Sequence, residues 1–538
     1  MLIGKFGMSC CGERGKRKNA CILTRGTKAE RNGQIIMKLN RAIYKDKVKA
    51  CWIGKNIGGT IGGPYEGKRE ILDVKGFLTE SGEPMPNDDL DLQLVWLQAV
   101  EKEGAKNIRA EVLGEYWLSF IAAAPSEYGI AQANMRAGLT PPLSGDAENN
   151  VWKHSNGAWI RTEIWATLAP AMPDIAVRYS IEDAKVDHGL GEGTYAAMFV
   201  AAVESAAFAL TDLRKLIEIG LSKIPAECRV YKTIKLLCKL HDEGKSPVEA
   251  RNTIQKFNED LADGWFQAPS NVAFAVLGLL YGENDFKKSM LLAVNCGDDT
   301  DCTAATVGSI FGIMHGTKGI PEDWANHIGD RIITCCINLG VCFRRPRTCT
   351  ELTERVVRLA PVVVEQNRAE RQVVFTEFTD GENEIEPDIY EKFALPYGQS
   401  EESDEMWRSL AALKPNTFTA KCGAFTVAIS YDKSPEVTGG ETRYLTLKFI
   451  NNVKAFGNQP FFVNAEVLLP DGVTCDKPSF KVYLPHWTPL TENCQADDVT
   501  IGVTMPETVE SVTTLYLRFK ADGRYAVHTI PVVFFAKV

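Results

Sequence analysis

Apolar residues recur along this chain with two different periods, and the change from one to the other falls near residue 415. Upstream they follow helical spacing: Leu90 and Leu94 share one face of a predicted helix over residues 90–100 that Gly104 ends. Alternating runs of β-branched residues are nearly absent from this part. The pattern predicts an all-α domain over residues 37–365.

Small residues mark one of the predicted helices for close packing. Ala304, Gly308 and Gly312 recur every four residues and so lie on one helix face. Glycine lets another backbone come near because it has no Cβ. The segments 195–210 and 271–280 are also Ala-rich or apolar at helical spacing. We expect the small-residue helix to pack directly against a second helix.

Downstream of residue 415 the hydrophobic period becomes two. Seven short alternating runs are separated by Gly, Asn, Asp and Pro, with the spacing of a β-sandwich. The pattern predicts an all-β, immunoglobulin-like sandwich over residues 415–538, and no cluster of catalytic type stands out in it. The seven predicted strands are residues 425–431, 444–449, 461–469, 480–484, 499–503, 514–519 and 525–535.

Two segments fit neither pattern. Residues 1–36 carry eight Lys or Arg against Glu13 and Glu30 and show no period. They are interpreted as a disordered basic leader, or as residues added upstream of a chain that begins at Met37; a nucleic-acid-binding arm is the alternative. Residues 366–414 are acidic and weakly patterned, which predicts a linker.

Composition narrows the class of protein. The chain has 538 residues, enough for two to four domains, and is 45% hydrophobic and 24% charged. Its net charge of -9 gives no indication of a general nucleic-acid-binding surface. No run of about 18 apolar residues is present, which argues against a membrane span, and the N-terminus lacks the apolar core of a signal peptide. A cytoplasmic protein is expected.

The fifteen cysteines do not form a disulfide scaffold in a chain of this length. Cys335, Cys336, Cys342 and Cys349 cluster, but their C-C-x5-C-x6-C spacing lacks the C-x2-C pairs of structural zinc sites. A reduced helical core is the favoured interpretation, with a zinc site as the alternative.

Two acidic clusters carry the candidate chemistry, and each lies just before a predicted helix. The first is Pro86-Asn-Asp-Asp-Leu-Asp91, and the second is Asn295-Cys-Gly-Asp-Asp-Thr-Asp-Cys-Thr303. Helix capping explains one or two acids per helix. It does not explain Asp298, Asp299 and Asp301 within four residues, because these repel one another unless a cation compensates. Oxygen-rich clusters suit Mg²⁺ or Mn²⁺ rather than zinc.

Four ordered blocks, followed by Ile320-Pro-Glu-Asp-Trp324, resemble the ADP-ribosylglycohydrolase family, which includes the enzyme that reactivates dinitrogenase reductase and hydrolases of ADP-ribosylated acceptors. The family patterns are G-D-A-x-G-x-P-x-E, T-D-D-T, G-N-G-A-x-M-R and G-x-D-T-D-T-x-A-A-x-x-G. The matching blocks are Gly58-Gly-Thr-Ile-Gly-Gly-Pro-Tyr-Glu66, Asn87-Asp-Asp-Leu90, Ser155-Asn-Gly-Ala-Trp-Ile-Arg161 and Gly297-Asp-Asp-Thr-Asp-Cys-Thr-Ala-Ala-Thr-Val-Gly308.

The resemblance implies an orthogonal helical bundle that holds two Mg²⁺ ions, with Mn²⁺ as a possible substitute, and binds ADP-ribose across them. By position it implies catalytic roles for Glu66, Asp89 and Asp299, with a surface-turn acid as the alternative for Glu66. Substrate-binding roles fall to Asn156, Gly157 and His188, the last of which has a structural role as its alternative. The implied metal ligands are Asn87, Asp88, Asp89, Asp299, Asp301 and Cys302.

The chain departs from the family pattern at three of these positions. Asn87 replaces a Thr but still offers a side-chain oxygen, and Gly59 replaces an Asp. Cys302 stands where the family has a metal-binding Thr; a thiol is a poor Mg²⁺ ligand, so Thr303 or water is the alternative. If Cys302 faces a cation at the helix N-terminus, its pKa is expected to be lowered. Asp298 is additional and could support the ligands from behind.

The resemblance therefore implies a Mg²⁺-dependent hydrolase that removes ADP-ribose from a modified side chain or related conjugate. Its partners would be an ADP-ribosylated protein or a small ADP-ribosyl conjugate. The altered positions and the appended β-domain keep two alternatives open. One is hydrolysis of another N-riboside or nucleotide derivative, and the other is a protein that binds ADP-ribose without cleaving it.

Overall fold

The structure is a computed structural model. It describes residues 35–122, 126–146, 150–261, 265–338, 344–367, 371–377, 383–386, 389–394, 416–451, 460–485 and 498–537. The predicted leader up to residue 34, Cys342 and most of the predicted linker lie outside these ranges.

The first part of the chain is helical, as predicted, and the predicted helix over 90–100 ends at Gly104. The described residues contain seventeen α-helices. They are α1 (Arg41–Gly62), α2 (Asp88–Glu103), α3 (Ala110–Phe120), α4 (Ser126–Arg136), α5 (Leu143–Asp146), α6 (Glu163–Leu168), α7 (Pro173–Ala184), α8 (Glu192–Ala207), α9 (Leu213–Ser222), α10 (Arg229–Asp242), α11 (Pro247–Phe257), α12 (Ala268–Tyr281), α13 (Phe286–Val294), α14 (Thr300–His315), α15 (Glu322–Ile328), α16 (Cys349–Gln366) and α17 (Ile389–Phe393).

Helices α1 and α14 form the closest helix pair, and the small residues predicted for this role make it possible. A Cβ built at Gly54 would lie 2.1 Å from the carbonyl oxygen of Gly308, and one at Gly312 would lie 2.4 Å from that of Ala50. The two backbones are therefore in contact along the pair. This contact brings the end of α1 to the start of α14, where Thr300 Oγ1 donates to Gly62 O over 2.8 Å.

A small sheet falls across two of the predicted boundaries. Strand β1 (Ile35–Asn40) pairs in parallel with β2 (Arg371–Thr376), from Ile35 opposite Arg371 to Asn40 opposite Thr376. The first strand begins inside the predicted leader, and the second lies inside the predicted linker, as does α17. Hydrophobic periodicity misses this sheet because neither strand alternates strictly between apolar and polar residues, and its partner is more than 300 residues away.

All seven predicted strands of the C-terminal domain are present, and three short or edge strands accompany them. The ten are β3 (Thr417–Cys422), β4 (Phe425–Tyr431), β5 (Glu436–Val437), β6 (Thr442–Asn451), β7 (Phe461–Leu468), β8 (Thr474–Cys475), β9 (Ser479–Leu484), β10 (Val499–Thr504), β11 (Val512–Ala521) and β12 (Val527–Ala536). They form two five-stranded sheets in the orders β3-β4-β6-β10-β8 and β5-β12-β11-β7-β9.

The two sheets share one apolar core, which makes the domain a sandwich. Phe519 on one sheet contacts Phe425 and Phe449 on the other, with ring centroids 6.1 and 5.4 Å apart. The sandwich also touches the helical domain, where Leu139 forms a β-bridge with Thr529. Across the described ranges, no helix is long and apolar enough to cross a membrane.

Candidate active site

The starts of α2 and α14 meet at a small cavity in the helical domain. Its volume is about 190 Å³. That is below the usual 300–1,000 Å³ of a ligand pocket, so the cavity fits only the reacting part of a larger ligand. Its lining combines acidic and aromatic side chains: Glu66, Asp88, Ser126, Glu127, Tyr128, Trp152, Ser155, Asn156, Gly157, Ile160, Phe266, Asp299, Asp301 and Cys302.

On the α2 side, two adjacent aspartates have different surroundings. Asp88 is half-buried and accepts from the Tyr128 hydroxyl over 3.2 Å. Burial, followed by the charge of Asp301, raises the pKa of Asp88 to about 6. Asp89 is fully buried, and burial raises its pKa well above the ordinary value. Asn87 caps the helix, since its Oδ1 accepts from the Asp89 N–H over 2.8 Å.

A buried lysine lies behind Asp89. Lys55 Nζ donates to Glu163 Oε1 and to the carbonyl of Ile160, each over 2.7 Å, and lies 3.7 Å from Asp89 Oδ2. Gln93 donates to the other Glu163 oxygen over 2.8 Å. Lys55, Asp89 and Glu163 are all fully buried. The side of the α2 cluster that faces away from the cavity therefore has its own counter-charge.

On the α14 side, Asp299 and Asp301 face the cavity, whereas Asp298 does not line it. Asp299 Oδ2 accepts from Asn156 Nδ2 over 2.6 Å. Asp298 adopts a left-handed backbone conformation, with φ of 69°, and accepts from the Phe266 N–H and from Asn271 Nδ2. Asp298 thus fixes the backbone of Phe266, a cavity residue, which fits the supporting position that the sequence suggested.

Glu66 lies at the exposed rim of the cavity, just after a 3-10 turn over Gly63–Tyr65. The negative charge of Asp301 is the main reason that its pKa rises to about 7; burial and Asp88 add to the shift. A carboxyl group with this pKa is partly protonated at neutral pH. Glu66 is therefore part of the acidic cluster.

The donor set of the cavity fits a divalent cation. Three carboxylate oxygens, Asp89 Oδ2, Asp299 Oδ1 and Asp301 Oδ1, are buried and accept no hydrogen bond. Ligand atoms of Glu66, Asp299 and Asp301 lie within 4.8 Å of one another, as do those of Asp89, Asp301 and Cys302. Asp301 is common to both groups. Desolvated carboxylates this close together repel unless a positive charge lies between them.

Asn156 and Gly157 line the cavity, but His188 lies behind it. The Gly157 N–H donates to Glu127 Oε1 over 3.1 Å, and a Cβ at Gly157 would lie 2.3 Å from that oxygen. His188 is fully buried between Ser155 Oγ, 3.1 Å from Nε2, and Asp187 Oδ1, 3.0 Å from Nδ1. It supports the backbone beside Asn156 from the side away from the cavity.

A family model supplies the decisive comparison. The model described as ADP-ribosylglycohydrolase matches residues 40–361, more than half of the chain, and the match includes every residue of the cavity. The chain belongs to the ADP-ribosylglycohydrolase family. The sequence resemblance is thereby confirmed, and the match ends before the β-sandwich begins.

Two named relatives align with only a short part of this chain. The ADP-ribosylarginine hydrolase Tri1 of Pseudomonas putida (strain GB-1) and that of Serratia proteamaculans (strain 568) are each 37% identical over 54 residues. The overlap is 10% of this chain and 15% of each relative's length. A solved chain titled "ADP-ribosylglycohydrolase-related protein complex" aligns with 61% of this chain and all of its own length, at 18% identity and a TM-score of 0.38.

The departure from the ADP-ribosylglycohydrolase pattern at Gly59 has a structural counterpart at Asn87. A Cβ at Gly59 would lie 1.6 Å from Asn87 Nδ2. The Asn87 side chain therefore fills the space above Gly59, where the family pattern has an Asp side chain. The two unusual residues depend on each other.

The lowered Cys302 pKa that is expected beside a cation stays a prediction, since the protein groups alone shift this pKa in the opposite direction. Cys302 is buried and its Sγ donates to Asp89 Oδ1 over 3.3 Å. Burial, followed by the charges of Asp299 and Asp301, raises the pKa of this thiol well above its ordinary value. Burial and the neighbouring carboxylates therefore favour the protonated thiol when no cation is bound.

Sequence analysis missed several residues of this candidate site. Glu127 and Tyr128 lie outside the quoted blocks, and only the fold brings α4 over the cavity. Lys55 gives a weak signal in the sequence, because it lies four residues after Cys51 and so shares the buried face of α1. A lysine on an otherwise apolar helix face requires an acidic partner, but its spacing does not say which acid.

Proposed function

We propose that this chain hydrolyses the glycosidic bond between ADP-ribose and a modified side chain or related conjugate, in a metal-dependent reaction. The observation that carries the proposal is the pair of buried carboxylate oxygens at the cavity, Asp299 Oδ1 and Asp301 Oδ1, that accept no hydrogen bond. They lie within the region that matches the ADP-ribosylglycohydrolase model. A bound cation would stabilise desolvated negative charge of this kind.

We propose Mg²⁺, or Mn²⁺ in its place, as that cation, with two ions as the expected number. Asp88, Asp89, Asp299 and Asp301 would hold the ions. Asn87 and Cys302 are weaker candidates, since the Asn87 oxygen caps α2 and the Cys302 thiol is engaged with Asp89. When bound, divalent ions neutralise the carboxylates and polarise the oxygens of ribose and water.

Proton transfer would fall to Glu66. Cleavage at C1 of a ribosyl group passes through an oxocarbenium-like state, so the leaving group needs a proton and the attacking water must lose one. Glu66 lies on the rim, in reach of solvent and of the acidic cluster, so its carboxyl group can exchange a proton with water and with a bound leaving group. Asn156 would keep Asp299 oriented during this step through its 2.6 Å hydrogen bond.

The arginine conjugate is the first substrate to test, because the relatives from Pseudomonas putida and Serratia proteamaculans are named as ADP-ribosylarginine hydrolases. The paired change at Gly59 and Asn87, beside Asp88, departs from the family pattern and keeps open a second candidate, hydrolysis of another N-riboside or nucleotide derivative. Non-catalytic binding of ADP-ribose is the third. The expected location is the cytoplasm.

A substrate panel separates these functions. ADP-ribosyl-arginine, ADP-ribosyl-serine and free nucleosides should be assayed with Mg²⁺, Mn²⁺ and EDTA in parallel. We expect turnover of an ADP-ribosyl conjugate that EDTA abolishes. Turnover of nucleosides alone would favour the second candidate, and ADP-ribose binding without turnover of any substrate at saturating metal would favour the third.

Matched variants assign the roles. Asp299→Asn should remove activity and weaken metal binding, while Asp285→Asn, which changes the N-cap of α13 and does not line the cavity, should leave both unchanged. Glu66→Gln should keep metal and ADP-ribose binding but lose turnover. An Asp299→Asn protein with full activity in EDTA would contradict the metal-dependent reaction.

A further inference from the structure

A second group of possible metal ligands lies next to the active site but uses different chemistry. Asp91, in the first turn of α2, faces the segment that carries Cys335 and Cys336. A carboxylate oxygen of Asp91 and the two sulfur atoms all lie within 4.8 Å of one another. The sequence spacing that argued against zinc could not show this group, because Asp91 is more than 240 residues from the cysteines.

The distance between the two sulfurs suits a metal ion. Cys335 Sγ and Cys336 Sγ are 3.7 Å apart. A tetrahedral zinc ion with Zn–S bonds of about 2.3 Å has its sulfur ligands about 3.8 Å apart. A disulfide would require a separation of about 2.05 Å. The two thiols are therefore spaced like neighbouring ligands of one ion.

The backbone that carries the cysteines is held in place. Asp91 Oδ2 accepts the N–H groups of both Cys335 and Cys336, each over 2.6 Å. On the other side, the Cys336 carbonyl accepts from Ala122 N over 2.8 Å, and Asn338 N donates to Phe120 O over 2.7 Å. Such anchoring orders the ligands before an ion binds, which lowers the entropy lost on binding.

One ligand atom in this group has no other role. Asp91 is fully buried, and its Oδ1 accepts no hydrogen bond while Oδ2 accepts two. A buried carboxylate oxygen without a partner is unfavourable unless a cation or donor reaches it. The mixed set of two thiols and one carboxylate suits zinc and other thiophilic ions, whereas the oxygen cluster at the cavity suits Mg²⁺.

We propose that Asp91, Cys335 and Cys336 form a zinc site, separate from the cluster of Asp88, Asp89, Asp299 and Asp301. Cys335 is exposed and Cys336 is buried, so the ion can enter from solvent. Three protein ligands leave the fourth tetrahedral position to water or another group. A bound ion would tie the segment around Cys336 to α2, the helix that also carries Asp88 and Asp89.

The test measures binding of Co²⁺, a coloured substitute for Zn²⁺, without reference to activity. The reduced full chain is kept in saturating Mg²⁺, and Co²⁺ is added while thiolate-to-cobalt charge-transfer and tetrahedral d–d bands are recorded. We expect the bands to saturate at a single equivalent and to disappear when Zn²⁺ displaces Co²⁺. Cys335→Ser should lower the apparent affinity by at least ~10-fold and remove about half of the charge-transfer intensity.

Two control variants make the outcome decisive. Cys475→Ser removes a half-buried thiol beside Asp476 in the sandwich and should leave the bands unchanged. Cys302→Thr removes the thiol at the oxygen cluster and should also leave them unchanged. Bands that are absent from the wild type, or that survive Cys335→Ser, would overturn the zinc site.

A second measurement does not depend on the absorption bands of bound Co²⁺. Zn²⁺ should slow alkylation of Cys335 in the native protein and leave the rate at Cys475 unchanged, as read by peptide mass. Equal rates with and without Zn²⁺ would again overturn the site. Because neither measurement uses turnover, a failure here is distinct from a failure of the proposed hydrolase activity.

Discussion

The helical domain and the β-sandwich bury very different side chains. The helical core contains paired charges, among them Lys55 with Glu163, and Arg161 with Asp183 and Asp187 at 3.0 and 2.7 Å. Among the described residues of the sandwich, the buried basic or acidic side chains are Arg443 and His528. Its core is otherwise aliphatic and aromatic.

This difference shows where each region depends on specific partners. An apolar core tolerates exchange of residues of similar volume, whereas a buried charge requires its own partner at one position. The charged network lies directly behind the acidic cavity, through Asp89 and Lys55. The helical domain buries carboxylates, so its core tolerates fewer substitutions. The sandwich core buries few charges and tolerates more.

The largest expected effect comes from removing the buried lysine. Burial opposes the charge of Lys55, but Glu163 and Asp89 outweigh it and raise the pKa of Lys55 above its ordinary value. Lys55→Met leaves both acids buried without a counter-charge and should destabilise the domain by about 3–5 kcal/mol. Urea unfolding, followed by hydrogen exchange of helical-domain peptides, measures this change.

A surface lysine gives the control for that prediction. Lys288→Met removes an exposed pair with Glu283 and should change stability by less than about 1 kcal/mol. If Lys55→Met is too unstable to purify, the double variant Lys55→Met, Glu163→Gln should recover part of the loss. Equal effects of Lys55→Met and Lys288→Met would show that the buried charges of the helical domain do not depend on a specific partner.

The second-largest expected effect is a pH dependence of the stability of the sandwich. His528 is buried, its Nδ1 has no hydrogen-bond partner, and burial lowers its pKa to about 4. The unfolded chain has a His pKa of about 6.5, so it takes up the proton first as pH falls. The contribution of neutral His528 to the free energy of unfolding is fully present above about pH 6.5. It is lost between about pH 6.5 and 4, and the total loss reaches about 3 kcal/mol.

His528→Leu should remove this part of the pH dependence. The free energy of unfolding of the sandwich, from hydrogen exchange of its peptides, is measured at neutral pH and near pH 4.5 in wild type and variant. We expect the wild type to lose more stability than the variant over that interval. His241→Leu, a change on the partly exposed surface of α10, is the control and should match the wild type. Parallel losses in wild type and His528→Leu would contradict a neutral buried histidine.

The sequence predicts the sandwich more completely than it predicts the site. Alternation alone locates strands such as β4 and β11, because every second residue of a strand faces the core. Strands β5 and β8, with two residues each, are too short to show a period.

The site depends on contacts between distant segments. The acid clusters are visible because each precedes a helix and because the family pattern contains them. Lys55, Glu127 and Tyr128 are not, since nothing in their local sequence indicates a partner 30 or more residues away. The same holds for Asp91 with Cys335 and Cys336. His188 matches a family position, yet the structure buries it behind the cavity instead of in its wall.

The smallest effect tests how closely the helical site is packed. Gly59→Ala places a Cβ against Asn87 Nδ2, so Asn87 must move and its cap on Asp89 N–H is lost. Overpacking of this kind costs about 1–3 kcal/mol. Asn87→Thr shortens the side chain, keeps a capping oxygen and should make room for the added methyl group. The double variant should therefore be about 1–2 kcal/mol more stable than the sum of the two single changes predicts.

This coupling energy excludes the gain in helix propensity of about 1 kcal/mol that any helical Gly→Ala change brings, because that gain enters both sides of the cycle. Gly76→Ala, where a Cβ meets no atom within 4 Å, should show no coupling to Asn87→Thr. Additive effects at residues 59 and 87 would mean that the two side chains do not share one space, and the site would then be as tolerant as the sandwich core.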